Sequence, residues 1–180
     1  GIGHAIAELF IAKGAKVVLL DRADNVVVAA GQLDSRNAVG FYCDVGDAES
    51  VKQGVDKAIK AFGQLDILVN SAGIVALDPA EEVTEQDWDK TIAVNLKGVF
   101  LTSQQAGKHF IKQGHGKIVN LASQAGAVAL PNHLAYCTSK AGVIGMTKVL
   151  ALEWGPLGVQ INAISPTVVL TELGRKAWSG

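Results

Sequence analysis

The sequence predicts an α/β chain of three layers, a doubly wound parallel sheet with helices on both faces. Two observations carry this. Short, continuous apolar and β-branched runs, the pattern of strands covered on both sides, alternate with segments whose apolar residues recur every three to four positions. Glycines fall where the helical segments stop, and strand-helix-strand units joined by right-handed crossovers build a parallel sheet.

The first segment is helical: Ile2, Ala5, Ile6, Leu9 and Ala12 share a face, and Gly14 follows as a left-handed stop. A strand is expected from Lys16 to Leu20, ending in Asp21, and further strands over Val39–Val45, Leu65–Asn70, Lys117–Ala122 and Val159–Ser165. Helices are expected over Asn25–Leu33, Ala48–Phe62, Glu85–Gln113 and Leu134–Trp154. Thr84 and Asp87 form a capping pair before the third of these, and Gly63, Gly114 and Gly155-Pro156 punctuate helix ends. A doubly wound fold needs a strand leading into its first glycine turn, so residues are expected to precede Gly1.

Charge and composition narrow the function classes. Sixteen basic and 17 acidic residues are spread along the chain for a net charge of -1, which supplies no basic field for nucleic acid or anionic lipid. No apolar run approaches the roughly 20 residues of a membrane-spanning helix. Neither a nucleic-acid partner nor a membrane is expected. Cys43 and Cys137 make no disulfide framework and read as reduced thiols of a cytoplasmic protein. His4, His109 and His115 lack metal-ligand spacing, so no metal is expected, and Trp88 and Trp154 read as packing residues.

The polar residues that interrupt this apolar pattern cluster at strand ends, where open α/β sheets bind ligands. Gly1-Ile2-Gly3 opens a helix, a weak phosphate-site signal alone. Asp21 lies 18 residues after Gly3 at the end of the next strand, where a carboxylate can accept both hydroxyls of an adenosine ribose. That favours NAD over NADP, whose 2'-phosphate would meet like charge at a cost of about 1 kcal/mol or more. Arg22 works against this by offering a phosphate partner. Asp44 and Asn70-Ser71-Ala72-Gly73 also end strands, the small residues leaving room for a flat ring.

Tyr136 and Lys140 stand four residues apart on one face of a helix. A phenol with a pKa near 10 is a poor base, and a neighbouring ammonium favours its phenolate. Ser123 ends a strand 13 residues earlier, where its hydroxyl can donate to a substrate oxygen while Tyr136 exchanges a proton. Tyrosine-lysine pairs at this spacing are also common in purely structural helices.

Taken in order, Gly1-Ile2-Gly3, Asp21, Asp44-Val45, Asn70-Ser71-Ala72-Gly73, Asn95, Ser123, Tyr136-x-x-x-Lys140 and Pro166 through Thr171 resemble the short-chain dehydrogenase/reductase family over nearly the whole chain. The resemblance implies a single Rossmann-like NAD-binding domain over residues 1–180, lacking its first strand and its C-terminal strand. It implies that Tyr136 is the acid/base, that Lys140 lowers its pKa and binds the nicotinamide ribose, and that Ser123 orients the carbonyl. Asn95 is implied to hold a water in the proton path, although an amide there can equally satisfy buried backbone at a bend. The cofactor residues implied are Gly1, Ile2, Gly3, Asp21, Asp44, Val45, Asn70, Ala72, Gly73, Tyr136, Lys140, Pro166, Val169 and Thr171. Thr167 and Ser71 depart from the family pattern, which has glycine and asparagine there.

A narrower resemblance, carried by Pro131 to Tyr136, Pro166 to Val169 and Ala177-Trp178-Ser179, is to the polyol dehydrogenase and xylulose reductase branch. Gln124, His133 and Trp178 are then substrate contacts beside Ser123 and Tyr136; their plainer readings are a loop amide, a helix-start residue and packing surface. The expected function is hydride transfer between NAD(H) and a polyol or its ketose. The alternatives are an NADPH-dependent 3-oxoacyl reductase and a non-catalytic nucleotide-binding scaffold. Long helices rich in small and apolar residues over Glu85–Gln113 and Leu134–Trp154 suit burial against partner subunits, and the resemblance implies a homotetramer.

Overall fold

In a computed structural model, which describes residues 1–171 with 174 and 175, strands and helices alternate throughout. The helices are α1 (Ile2–Ala12), α2 (Val26–Leu33), α3 (Ala48–Phe62), α4 (Glu85–Ile92), α5 (Gly98–Gln113) and α6 (Leu134–Trp154). The strands are β1 (Val17–Asp21), β2 (Ala38–Tyr42), β3 (Ile67–Asn70), β4 (Gly116–Leu121) and β5 (Val159–Ile164). Every strand pairing is parallel, as the crossover rule requires.

The parallel strands form two groups, β1-β2 and β3-β4-β5. Among the described residues no strand lies between β1 and β3, so their facing edges are not joined and line a trough instead. Around β1 and β2 the three layers are present. A Cβ on Gly40 would strike the α2 backbone at Val26, while Lys57 of α3 lies over the Phe41 ring on the opposite face. On the larger sheet α5 and α6 cover one face, and the other leaves Ile67 and Ile164 40% and 53% exposed.

Local chemistry accounts for the ends of the elements. Thr84 accepts the Asp87 N–H at 3.1 Å and donates to its carboxylate at 2.7 Å, the expected cap of α4. Asp47 caps α3 by accepting from the Ser50 N–H at 2.6 Å. Gly63 and Gly114 end α3 and α5 in the left-handed region, at φ 73° and 76°, as C-terminal glycines do. The strand over Val39–Val45 is shorter than expected and closes at Tyr42, because Asp44 turns to accept the Gly46 N–H.

The expected continuous helix from Glu85 to Gln113 is interrupted by a π-helical turn over Ala93–Lys97. The extra residue in that turn carries Asn95 into the interior, where it is fully buried.

Three apolar clusters form the core. Ala106, Phe110, Ile118, Val159 and Ile161 pack between α5 and the larger sheet; Phe110 is fully buried and by itself contributes on the order of 2–3 kcal/mol. Cys43, Val51, Val55 and Leu101 pack around α3, and Val99, Ala122 and Val143 around α6. Between these clusters runs a buried polar seam. Asn70 donates to Ser103 at 3.0 Å and to Asn120 at 2.8 Å, and accepts from Thr102 at 2.7 Å. Asn120 in turn donates to Thr147 of α6 at 3.0 Å.

Candidate active site

A cleft of about 1190 Å³ opens at the carboxyl ends of β1, β3 and β4. This exceeds the roughly 300–1,000 Å³ of an ordinary ligand site, because it runs on into the trough between the two sheets. Its walls bring together Gly1, Ile2, Gly3, Asp21, Val45, Asn70, Ala72, Gly73, Ser123, Gln124, His133, Tyr136, Lys140, Pro166, Val169 and Thr171. Trp178 lies outside the described residues. Asp44 is not in the wall: its carboxylate accepts the Gly46 N–H at 2.8 Å, and its own N–H is taken by Ser50.

The walls fit a dinucleotide. The first-turn N–H groups of α1 have no intrahelical acceptor, since the ladder begins with Ala5 bonding to Gly1, and they face the cleft with the positive end of the helix dipole, which suits a diphosphate. Asp21 ends β1 exposed, one oxygen accepting the Ala23 N–H at 2.9 Å. Gly73 adds no side chain to this wall, and a Cβ there would make ordinary contacts, 3.5 Å from Asn95 Oδ1 and 3.7 Å from Lys140 Nζ. Asn70 contributes backbone only, its amide being committed to the polar seam.

Tyr136 and Lys140 share one face of α6, with Nζ 5.7 Å from the phenol ring centroid. Lys140 is 4% exposed and donates to the Leu121 carbonyl at 2.6 Å; burial pushes its pKa down to about 8. Burial raises the Tyr136 phenol above its ordinary value, and the nearby Ser123 hydroxyl pulls it the other way. Desolvation is the larger of these two influences on the phenol.

The Ser123 hydroxyl accepts the Ala125 N–H at 3.1 Å in a 3-10 turn over Gln124–Gly126. The Pro166 carbonyl accepts from the Gln124 N–H at 2.9 Å, so the segment leading to Val169 and Thr171 is tied to the serine turn. His133, at the start of α6, places Nδ1 2.6 Å from the Pro131 carbonyl and stands edge-on to the Tyr136 ring. A carbonyl only accepts, so Nδ1 donates to it, and in the tautomer this selects Nε2 is the acceptor. Asn132, left-handed at φ 62°, shapes this approach, and its carbonyl takes the Asp78 N–H.

Asn95 lies behind the wall. Its Oδ1 accepts the Ile74 N–H at 2.8 Å, and Nδ2 donates to the Ile74 carbonyl at 2.9 Å and to Ser139 at 3.2 Å. These bonds satisfy buried groups at the bend and tether the loop after Gly73. Ser139, missed in the sequence, relays this bond by donating to the Tyr136 carbonyl at 2.7 Å. Its position three residues after Tyr136, on the same helical face, was the available signal. Among the described residues no cluster of three or more His, Cys, Asp or Glu is placed to hold a metal, and no helix is long and apolar enough to cross a membrane.

The family model for short chain dehydrogenases matches residues 1–180. The chain is 54% identical to the D-threitol dehydrogenase of Mycolicibacterium smegmatis, over all of this chain and 70% of that protein. It is 50% identical to the NAD-dependent glycerol dehydrogenase of Listeria innocua, over all of this chain and 71% of that protein. The crystal structure of a gluconate 5-dehydrogenase from Burkholderia cenocepacia, in complex with NADP and tartrate, superposes with a TM-score of 0.93 at 33% identity, covering 98% of this chain and 70% of the other. The ordered motifs, the parallel α/β fold and these similarities agree, and the chain belongs to the short-chain dehydrogenase family.

Proposed function

We propose that this chain carries an NAD(H)-dependent dehydrogenase site that interconverts a small polyol and its ketose. The observation that carries the reading is the convergence of Ser123, Tyr136 and Lys140 beside Gly73 and the N-terminus of α1, in one cleft at the strand ends. When bound, a nicotinamide dinucleotide supplies the acceptor for the hydride that leaves the carbinol carbon. Tyr136 takes the hydroxyl proton as the C–O bond becomes a carbonyl, and returns it in the reverse direction. Ser123 donates to the same substrate oxygen, and Lys140 contributes positive charge where the phenolate forms.

The polyol preference is supported by the similarity to threitol and glycerol dehydrogenases and by a polar rim, in which His133 Nε2 accepts from a substrate hydroxyl and Gln124 adds an amide. Asp21 at the ribose end of the cleft supports NAD, as does the cofactor named for the glycerol dehydrogenase. A cytoplasmic homotetramer completes the proposal, supported by two free thiols and by exposed Phe100, Val149 and Leu152 on α5 and α6.

The test is turnover of the intact protein with threitol, glycerol, xylitol and the matching ketoses, each with NAD and NADP, against a Tyr136→Phe control. Polyol oxidation with NAD that the control lacks is expected. Activity confined to 3-oxoacyl thioesters with NADPH, or no turnover with dinucleotide bound, would overturn the reading.

A further inference from the structure

We infer that Gly126 is a positioning residue of the reaction, its missing side chain setting the gap between the Ser123 turn and α6. The inference rests on the reading of Ser123 and Tyr136 given above. Gly126 closes the 3-10 turn that begins at Ser123, and that turn lies directly on α6. A Cβ at this position would sit 2.7 Å from the Lys140 carbonyl carbon, 2.8 Å from its oxygen and 3.0 Å from the Ala141 nitrogen. All three are backbone atoms inside a 21-residue helix, so no side-chain rotation makes room.

Backbone conformation does not explain the glycine. Among the described residues the glycines with positive φ are Gly14, Gly63, Gly114 and Gly158, and Gly126 is not one of them. What the position requires is closeness, and the closeness is transmitted. The Gly126 N–H donates to the Ser123 carbonyl at 3.0 Å and the Ala125 N–H to the Ser123 hydroxyl at 3.1 Å, so a turn lifted off α6 takes the serine with it. The helix side is equally fixed, because Lys140, whose carbonyl is the contact, also donates from Nζ to Leu121, two residues before Ser123. A methyl group at residue 126 therefore widens the separation between the Ser123 hydroxyl and the Tyr136 phenol on α6.

The experiment is a double-mutant cycle of Gly126→Ala with Ser123→Ala in the intact protein. It is read as kcat, as Kd for NADH, and as the pH at which alcohol oxidation is half-maximal. Gly126→Ala is expected to lower kcat about 10- to 100-fold, the usual consequence of displacing a reacting group by a fraction of an ångström to one ångström. NADH binding should stay within about twofold, and the half-maximal pH should move upward as in Ser123→Ala. In the Ser123→Ala background the same substitution should cost less than about twofold, since the group it displaces is gone. Gly31→Ala, at a remote helical glycine with open space around it, should keep parental kcat. Ala125→Gly, which adds no bulk and loosens the transmitting turn, should lower kcat with the same pH displacement even if Gly126→Ala fails to fold. Parental kcat in Gly126→Ala or in Ala125→Gly, or equal costs in the two backgrounds of the cycle, overturns the inference. Parental turnover in Ser123→Ala would instead defeat the underlying reading of the site.

Discussion

Lys140 Nζ stands one helical turn from Tyr136, 5.7 Å from its ring centroid, and gives its hydrogen bond to the Leu121 carbonyl at 2.6 Å. A buried ammonium held this way is costly, and the cost has a defined pH range. Its folded pKa is lowered from 10.5 to about 8, so below pH 8 both folded and unfolded states are protonated and the penalty is fully present. Between about 8 and 10.5 the folded state releases its proton first, the unfolded state binds more protons, and stability rises with pH. Urea unfolding should show the parent gaining up to about 3 kcal/mol across this window relative to Lys140→Met. Parallel pH dependences for the two proteins would contradict this.

In the proposed mechanism alcohol oxidation needs the Tyr136 phenolate, and burial lifts the phenol above its ordinary value while Ser123 opposes the rise. In Ser123→Ala the opposing hydroxyl is lost, so the alkaline limb of kcat/KM for oxidation should move to higher pH. Tyr136→Phe should lower kcat by about 10²- to 10⁴-fold at every pH. An unmoved limb in Ser123→Ala would show that the hydroxyl does not reach the phenol.

Asp21→Ser should relax the choice of cofactor. Removing a like charge of about 1 kcal/mol is worth roughly a fivefold gain in kcat/KM for NADPH relative to NADH. Steady-state kinetics with both cofactors decide it, and an unchanged ratio would place the discrimination elsewhere.

Asn95→Ala strips three hydrogen bonds, two to the part-buried Ile74 backbone and one to the buried Ser139. Thermal or urea unfolding should register a loss of about 2–4 kcal/mol, since each abandoned buried group costs about 1–3. A variant as stable as the parent would mean that water takes over those bonds.

His133→Phe keeps a ring against Tyr136 and removes the acceptor. The expected effect is a rise of about 2- to 12-fold in KM for the polyol, the worth of one net hydrogen bond, with kcat little changed. A drop in kcat at constant KM would assign His133 to the chemistry instead.

Much of the fold was legible because periodicity and punctuation report burial directly. Val159–Ile164 and α6 fall almost where their patterns placed them, and the cap at Thr84 was readable from two residues. The π-turn was not readable, since helical spacing continues through Ala93–Lys97 and only Asn95's bonds to Ile74, 21 residues away, reward the extra residue. In the cleft, strand-end positions placed Asp21, Gly73 and Ser123, because parallel strands share one carboxyl end. The inward turn of Asp44 and the raised phenol of Tyr136 depend on local bonds and desolvation that residue spacing does not encode.

The buried polar seam has a consequence for strand alignment. Asn70 and Asn120 are paired neighbours on β3 and β4, and each reaches a different helix through its amide. Side chains alternate faces along a strand, so a slip of a single residue would swing one asparagine away from its partner and strand several polar groups among hydrocarbon. Apolar neighbours such as Val69 and Val119 would tolerate such sliding, whereas the amides do not. The seam thus works as an index pin, holding the ends of β3 and β4, and with them Gly73 and Ser123, at one fixed height above the sheet.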